Sequence, residues 1–111
     1  MINDHLKDLI KDLPHKPGVY KFLNSSNKII YIGKAKNLKK RVSSYFNRSI
    51  KDEKTNTLVS KINSFSIVIV ESETDALLLE NNLIKKFKPK YNILLKDGKS
   101  YPWIYPNLIP G

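Results

Sequence analysis

Two short apolar runs, at residues 19–23 and 29–33, flank the polar tetrad Asn24-Ser25-Ser26-Asn27, and no other feature restricts the fold as much. Runs of that length bounded by turn-forming residues read as the arms of an antiparallel hairpin. With the tetrad as the loop, Leu23 pairs with Lys28, Phe22 with Ile29, Tyr20 with Tyr31 and Gly18 with Gly33. Side chains alternate along a strand, so both tyrosines point to one side, their Cβ atoms roughly 5 Å apart. Glycines at the open end, Gly18 and Gly33, let another backbone or a nucleic-acid strand approach closely. The tyrosine pair has two readings: an ordinary aromatic contact that packs, or two phenols set side by side in a site.

Ahead of the hairpin, Ile2, Leu6, Leu9, Ile10 and Leu13 recur at helical spacing, and Pro14 and Pro17 close that helix. After Gly33 the period changes. Leu38, Val42, Tyr45 and Phe46 mark one face of a helix starting near Asn37, and a shorter helix is expected around residues 57–62. Residues 66–70 are β-branched and predict a third strand, expected to be well buried. Ser72 then caps a long helix whose start is favoured by Glu73 and Asp75 and whose end carries Lys85, Lys86 and Lys88 before Pro89. From Tyr91 onward the pattern is mixed and aromatic. A chain of 111 residues holds one modest core, which gives a single small α/β (α+β) domain with a mostly antiparallel sheet.

Charge narrows the function. Lys and Arg number 20 against 10 acids, a formal net charge of +10, which favours a polyanionic partner. Lys34, Lys36, Lys39, Lys40, Arg41 and Arg48 fall close together in the chain and are the candidate DNA contacts, mostly to phosphates. Arg41 and Tyr45 are four apart on one helical face and project along the seam towards the tyrosine pair. In a chain so rich in Lys, an Arg beside the core fits a task that needs a planar two-pronged donor, such as clamping a phosphate. The alternative is a packed stem with its head in solvent. There is no Cys, which excludes disulfides, thiolate metal sites and Cys nucleophiles. No apolar run approaches the roughly 18 residues needed to cross a bilayer, so the expected setting is soluble and cytoplasmic, without a membrane partner.

One acid is out of place. On the helix that begins near Glu73, Ala76, Leu83, Ile84 and Phe87 form the apolar stripe, and at about 100° per residue Glu80 falls in its middle. A buried carboxylate needs a cation, hydrogen bonds or a metal. A salt bridge to a nearby Lys or Arg, or a stripe lying at the edge of the core, would each account for it. Glu80 is isolated from the other acids, whereas a two-metal nuclease needs a cluster of carboxylates. If a metal is used, one Mg²⁺ (or Mn²⁺) held by Glu80, with water and phosphate oxygens completing the shell, is the natural fit.

Gly18-Val19-Tyr20 and Tyr31-Ile32-Gly33 resemble the paired half-motifs of the GIY-YIG nucleases, with Val in place of the central Ile of the first. The resemblance is closest to the UvrC branch. It runs through Leu13-Pro14, Pro17, Lys34-Ala35, Arg41-Val42, Ser44-Tyr45-Phe46, Glu80-Asn81-Asn82-Leu83-Ile84-Lys85, Pro89-Lys90-Tyr91-Asn92 and Leu95-Lys96-Asp97, from about Leu13 to Ile104. It implies a three-stranded antiparallel sheet flanked by helices, and a hydrolytic cut in one DNA strand on the 3′ side of a lesion. It implies Glu80 as metal ligand, Tyr31 as general base and Arg41 as phosphate stabiliser. Lys34, Tyr20 and Tyr45 would orient water, phosphate or one another, and Asn92 would support the site by hydrogen bonds.

A free Tyr has a pKa near 10, so Tyr31 needs positive charge nearby, which Lys34 and the ion could supply; water activated by the ion is the competing base. The implied partners are damaged double-stranded DNA and UvrB, with UvrA upstream, engaged through regions this chain lacks, and the domain itself is expected to be monomeric. Residues 1–104 are expected to form the nuclease domain and residues 105–111 a tail at the cut end of a fragment. A stand-alone GIY-YIG nuclease and a non-catalytic basic DNA-binding module are the competing readings. The second explains the charge but leaves Glu80 and the tyrosines without a purpose.

Overall fold

In the computed structural model the elements run α1 (Asp4–Lys11), β1 (Gly18–Leu23), β2 (Ile29–Ala35), α2 (Leu38–Tyr45), α3 (Glu53–Lys61), β3 (Ser64–Ile69) and α4 (Glu73–Phe87). The structure describes residues 4–47 and 53–93; Arg48, Leu95-Lys96-Asp97 and the tail expected at residues 105–111 lie outside them. The order matches the sequence reading, and all strand pairs are antiparallel, in the order β2-β1-β3. Local chemistry sets the helix ends. Asn37 caps α2 by accepting the Lys40 N–H at 3.0 Å, and Ser72 caps α4 by accepting the Asp75 N–H at 3.1 Å. Lys88 ends α4 in the left-handed region, at φ 45°, ahead of Pro89.

Two clusters sandwich the sheet. Leu6 of α1, Leu38, Val42 and Tyr45 of α2, and Leu58 of α3 pack with Tyr20 and Phe22 on one face. On the other, Ala76 of α4 packs with Val19 and Ile32, helped by Leu79, Leu83 and Ile84. The third strand departs from expectation. It is an edge strand, its residues only half-buried or exposed, and Ile69 keeps 51% of its surface exposed. Phe87, expected in the apolar stripe of α4, is also exposed.

The hairpin register is shifted by two from the sequence reading. Phe22, not Tyr20, faces Tyr31, and Tyr20 faces Gly33. The loop is longer than the tetrad, since Leu23 pairs with Ile29, and Ile30 forms a bulge before Tyr31. Asn24 organises the turn by accepting the N–H groups of Ser26 and Lys28, and Asn27 takes φ 61°. Because the shift is even, Tyr20 and Tyr31 still share a face, as diagonal neighbours with ring centroids 6.3 Å apart.

The glycines are not opposed, and each admits protein instead of DNA. A Cβ on Gly18 would strike the Val68 carbonyl oxygen and lie 2.7 Å from Leu38 Cδ1. One on Gly33 would strike the Tyr20 hydroxyl and lie 2.9 Å from its Cε1. Gly33→Ala should therefore lower stability by about 2 kcal/mol or more, read as a lower denaturant midpoint at unchanged slope. An unshifted midpoint would mean that the Tyr20 ring does not lie over this glycine.

Candidate active site

β2 carries the site along its outer edge. In a sheet ordered β2-β1-β3 that edge has no neighbouring strand among the described residues, and its polar groups need other partners. Asn92 supplies one set. Its Oδ1 accepts the Ile32 N–H at 2.8 Å and its Nδ2 donates to the Ile32 carbonyl at 2.8 Å, so one side-chain amide imitates a strand residue. Glu80 supplies another by accepting the N–H of Lys34. Tyr31, Lys34, Glu80 and Asn92, drawn from two strand positions, α4 and the segment after it, thus meet on one strand edge.

Above this edge lies a cluster of phenols. Tyr20, only 1% exposed, has its hydroxyl 2.8 Å from that of Tyr45. Arg41 of α2 donates from Nε to the Tyr20 hydroxyl at 3.4 Å and from Nη2 to the Tyr45 hydroxyl at 3.5 Å, and its guanidinium sits 5.3 Å from the Tyr45 ring centroid. Ring contacts join Tyr31 to both other tyrosines. Burial, followed by the neighbouring Tyr31, pushes the Tyr20 pKa up to about 12. Burial and the adjoining phenols also raise Tyr31 and Tyr45, with Arg41 opposing. All three are therefore neutral phenols at physiological pH. Burial works against the charge of Arg41, yet Tyr20 first, then Tyr45 and Tyr31, whose own ionisation would favour the guanidinium charge, more than offset it and leave its pKa raised. The guanidinium is braced by oxygens that carry no net charge and keeps its full positive charge for a ligand.

Among the charged neighbours of Tyr31, Arg41 lowers its pKa and Glu80 raises it, while the charge of Lys34 acts on Glu80. Tyr31 stands between an arginine and a carboxylate. Burial lifts the Glu80 pKa above its ordinary value, while the charge and the N–H of Lys34 pull it back. Beside this edge opens a cleft of about 280 Å³ lined by Lys34, Ala35, Lys36, Arg41, Glu73 and Ala76.

Of the expected DNA contacts, Lys34, Lys36 and Arg41 line this cleft, and Lys40 is exposed on α2. Lys39 is turned away, its ammonium donating to the Lys11 carbonyl at the end of α1 at 3.0 Å. Glu73 was not anticipated at the cleft. Its spacing could have placed it there, because Glu73, Ala76 and Glu80 at i, i+3 and i+7 form one stripe of α4. Among the described residues no three His, Cys, Asp or Glu side chains gather to hold a metal, and no helix is long and apolar enough to cross a membrane. The donor set still fits one hard cation. Glu80 is a half-buried carboxylate facing a backbone N–H, with lone pairs left for a cation whose shell water and phosphate oxygens would complete.

Comparison with known proteins bears on this arrangement. The family model described as UvrC-like GIY-YIG domain matches residues 16–93. UvrABC system protein C of Bacteroides thetaiotaomicron is 59% identical over 102 residues, which are 92% of this chain and 17% of that protein. The corresponding protein of Flavobacterium psychrophilum is 61% identical over 95 residues, 86% of this chain and 16% of its own length. The chain thus spans about a sixth of these curated relatives. Among solved structures, the GIY-YIG N-terminal endonuclease domain of UvrC from Thermotoga maritima, bound to its catalytic divalent cation magnesium, is 40% identical with a TM-score of 0.73. The match covers 82% of this chain and 99% of that one.

A raised carboxyl pKa has a stability consequence with a definite sign. Folding favours the protonated form of Glu80, so near neutral pH, above the ordinary value of 4.5, its buried charge destabilises the cation-free fold. Glu80→Gln should then stabilise the chain in EDTA at pH 7 by a few tenths of a kcal/mol, about what a half-exposed group allows. The gain should vanish below about pH 4. Denaturant titrations at both pH values check this.

Proposed function

Because this chain belongs to the UvrC-like GIY-YIG family, we propose that it is a metal-dependent endonuclease domain of bacterial excision repair that hydrolyses a phosphodiester on the 3′ side of a DNA lesion. The observation that carries this reading is that Glu80 and Arg41 both act on Tyr31, beside a cleft lined by Lys34, Lys36 and Arg41. Its substrate is damaged duplex DNA. Lesion recognition comes from the UvrA and UvrB partners, and the domain works as a monomer in the cytoplasm.

Each residue has work suited to its surroundings. Glu80 would hold a single Mg²⁺ or Mn²⁺. Bound there, the ion supplies positive charge that offsets Glu80, polarises the phosphate and acidifies nearby water and phenol. Arg41, fixed by Tyr20 and Tyr45, directs its remaining N–H groups at a non-bridging phosphate oxygen, and a preorganised donor of this kind loses little in reorganisation as charge develops. Lys34 adds positive charge to the same cleft. Tyr31, kept protonated chiefly by burial, orients the attacking water by hydrogen bond. To act as base it would first release its own proton to solvent, which the positive charge of a bound ion would favour, and only then accept the water's proton. Asn92 keeps the β2 edge in line, and with it Tyr31, Lys34 and Glu80.

The test places this chain at the head of a UvrC from which the corresponding domain has been removed, with UvrA, UvrB and a lesion-bearing duplex. The expected result is a 3′ nick that requires Mg²⁺ and disappears in EDTA. Glu80→Ala should reduce it about a thousandfold and Tyr31→Phe about a hundredfold or more, with the 5′ cut of pre-nicked DNA retained. A chimera that folds and engages UvrB yet gives no 3′ nick would refute the proposal.

A further inference from the structure

The stripe of α4 that carries Glu80 also carries Glu73, which lines the neighbouring cleft, and the two acids face different lysines in different ways. Glu80 is half-buried and accepts the Lys34 N–H. Glu73, two turns earlier, is 66% exposed in its side chain and meets Lys36 at 4.0 Å, with Lys36 itself 81% exposed. An ion pair that open contributes little to stability, about 0–1 kcal/mol. It does not explain why an acid lines a cleft whose other charged walls are Lys34, Lys36 and Arg41, in a chain of net charge +10.

The helix start does not need Glu73 there either. Ser72 already caps α4, and Asp75 supplies an acidic side chain to the same first turn. What Glu73 does change is the field in the cleft: it cancels one of three cations and holds Lys36 on the protein instead of leaving it to a phosphate. A backbone phosphate entering this cleft must displace that carboxylate from Lys36 or accept its repulsion.

We infer that Glu73 is a specificity-determining residue of this nuclease: through its pair with Lys36 it weakens the cleft's grip on phosphate, so that the strongly basic domain does not settle on intact duplex. This rests on the proposed function, in which the cleft receives the DNA backbone. Exchange of Lys36 from Glu73 to a phosphate then accompanies productive seating of the strand, supplied by the damage-recognition partners. Glu73 is no ligand or proton carrier in this scheme and acts only through Lys36 and the charge of the cleft.

The test measures binding of the 111-residue chain to an undamaged fluorescent duplex, in EDTA so that nothing is cut, across a range of salt concentrations. Glu73→Gln should tighten binding about three- to tenfold, and the salt dependence should steepen by about one phosphate contact. Lys36→Ala alone should weaken binding, because it leaves the Glu73 charge unpaired in the cleft, whereas Lys36→Ala added to Glu73→Gln should bring binding back to about the wild-type value. Unchanged or weaker binding by a folded Glu73→Gln chain, or a gain that survives removal of Lys36, would overturn the inference. Arg41→Ala separates the two levels. If it weakens binding while Glu73→Gln has no effect, the tuning role alone fails; if it has no effect, the cleft is not the DNA site and both fall.

Discussion

The outer edge of β2 is the constraint on which the rest depends. An edge strand leaves N–H and C=O groups that must find partners or water. Here one pair is taken by the Asn92 amide and another N–H by the Glu80 carboxylate, so among the described residues side chains and not a further strand meet these groups. Satisfying the backbone in this way brings functional groups to it. Asn92 lies 60 residues from Ile32 in the chain, and its two hydrogen bonds tie the segment after α4 to the strand that carries Tyr31 and Lys34. The same demand that protects the edge therefore assembles the site.

The second organising feature is the use of phenols in place of carboxylates around Arg41. A carboxylate partner would neutralise the guanidinium, whereas Tyr20 and Tyr45 fix its position and leave its charge available. Their burial keeps them neutral, and the Gly33 gap beneath the Tyr20 ring is what permits that burial. Glu80 shows the opposite compromise. Its surroundings disfavour its charge, which weakens the empty fold but strengthens the attraction of the carboxylate for a cation. Stability and binding are set against each other at a single residue.

Much of this was legible in the sequence, for identifiable reasons. The hairpin, the capped helices and the misplaced acid on α4 all follow from periodicity and from Asn, Ser and Pro at element ends. The register was not legible. Ile29, Ile30, Tyr31 and Ile32 are all apolar, so no alternation marks the extra residue at Ile30, and counting back from a four-residue loop gives the wrong partners. The even shift preserved the shared face of Tyr20 and Tyr31 by parity alone. The β-branched third strand misled in another way, since Val and Ile suit an edge as well as a centre and do not report which is present. The geometry of Asn92 and the position of Glu73 at the cleft depend on tertiary packing, and only the i, i+3, i+7 spacing hinted at the latter.

The claim at the centre of this account is that one carboxylate beside the β2 edge, Glu80, would hold a single cation. Calorimetric titration of Mn²⁺ into the chain tests it most directly. One ion per chain should bind, binding should be lost in Glu80→Gln, and it should persist in Tyr31→Phe. Two ions per chain, or undiminished binding in Glu80→Gln, would contradict the account.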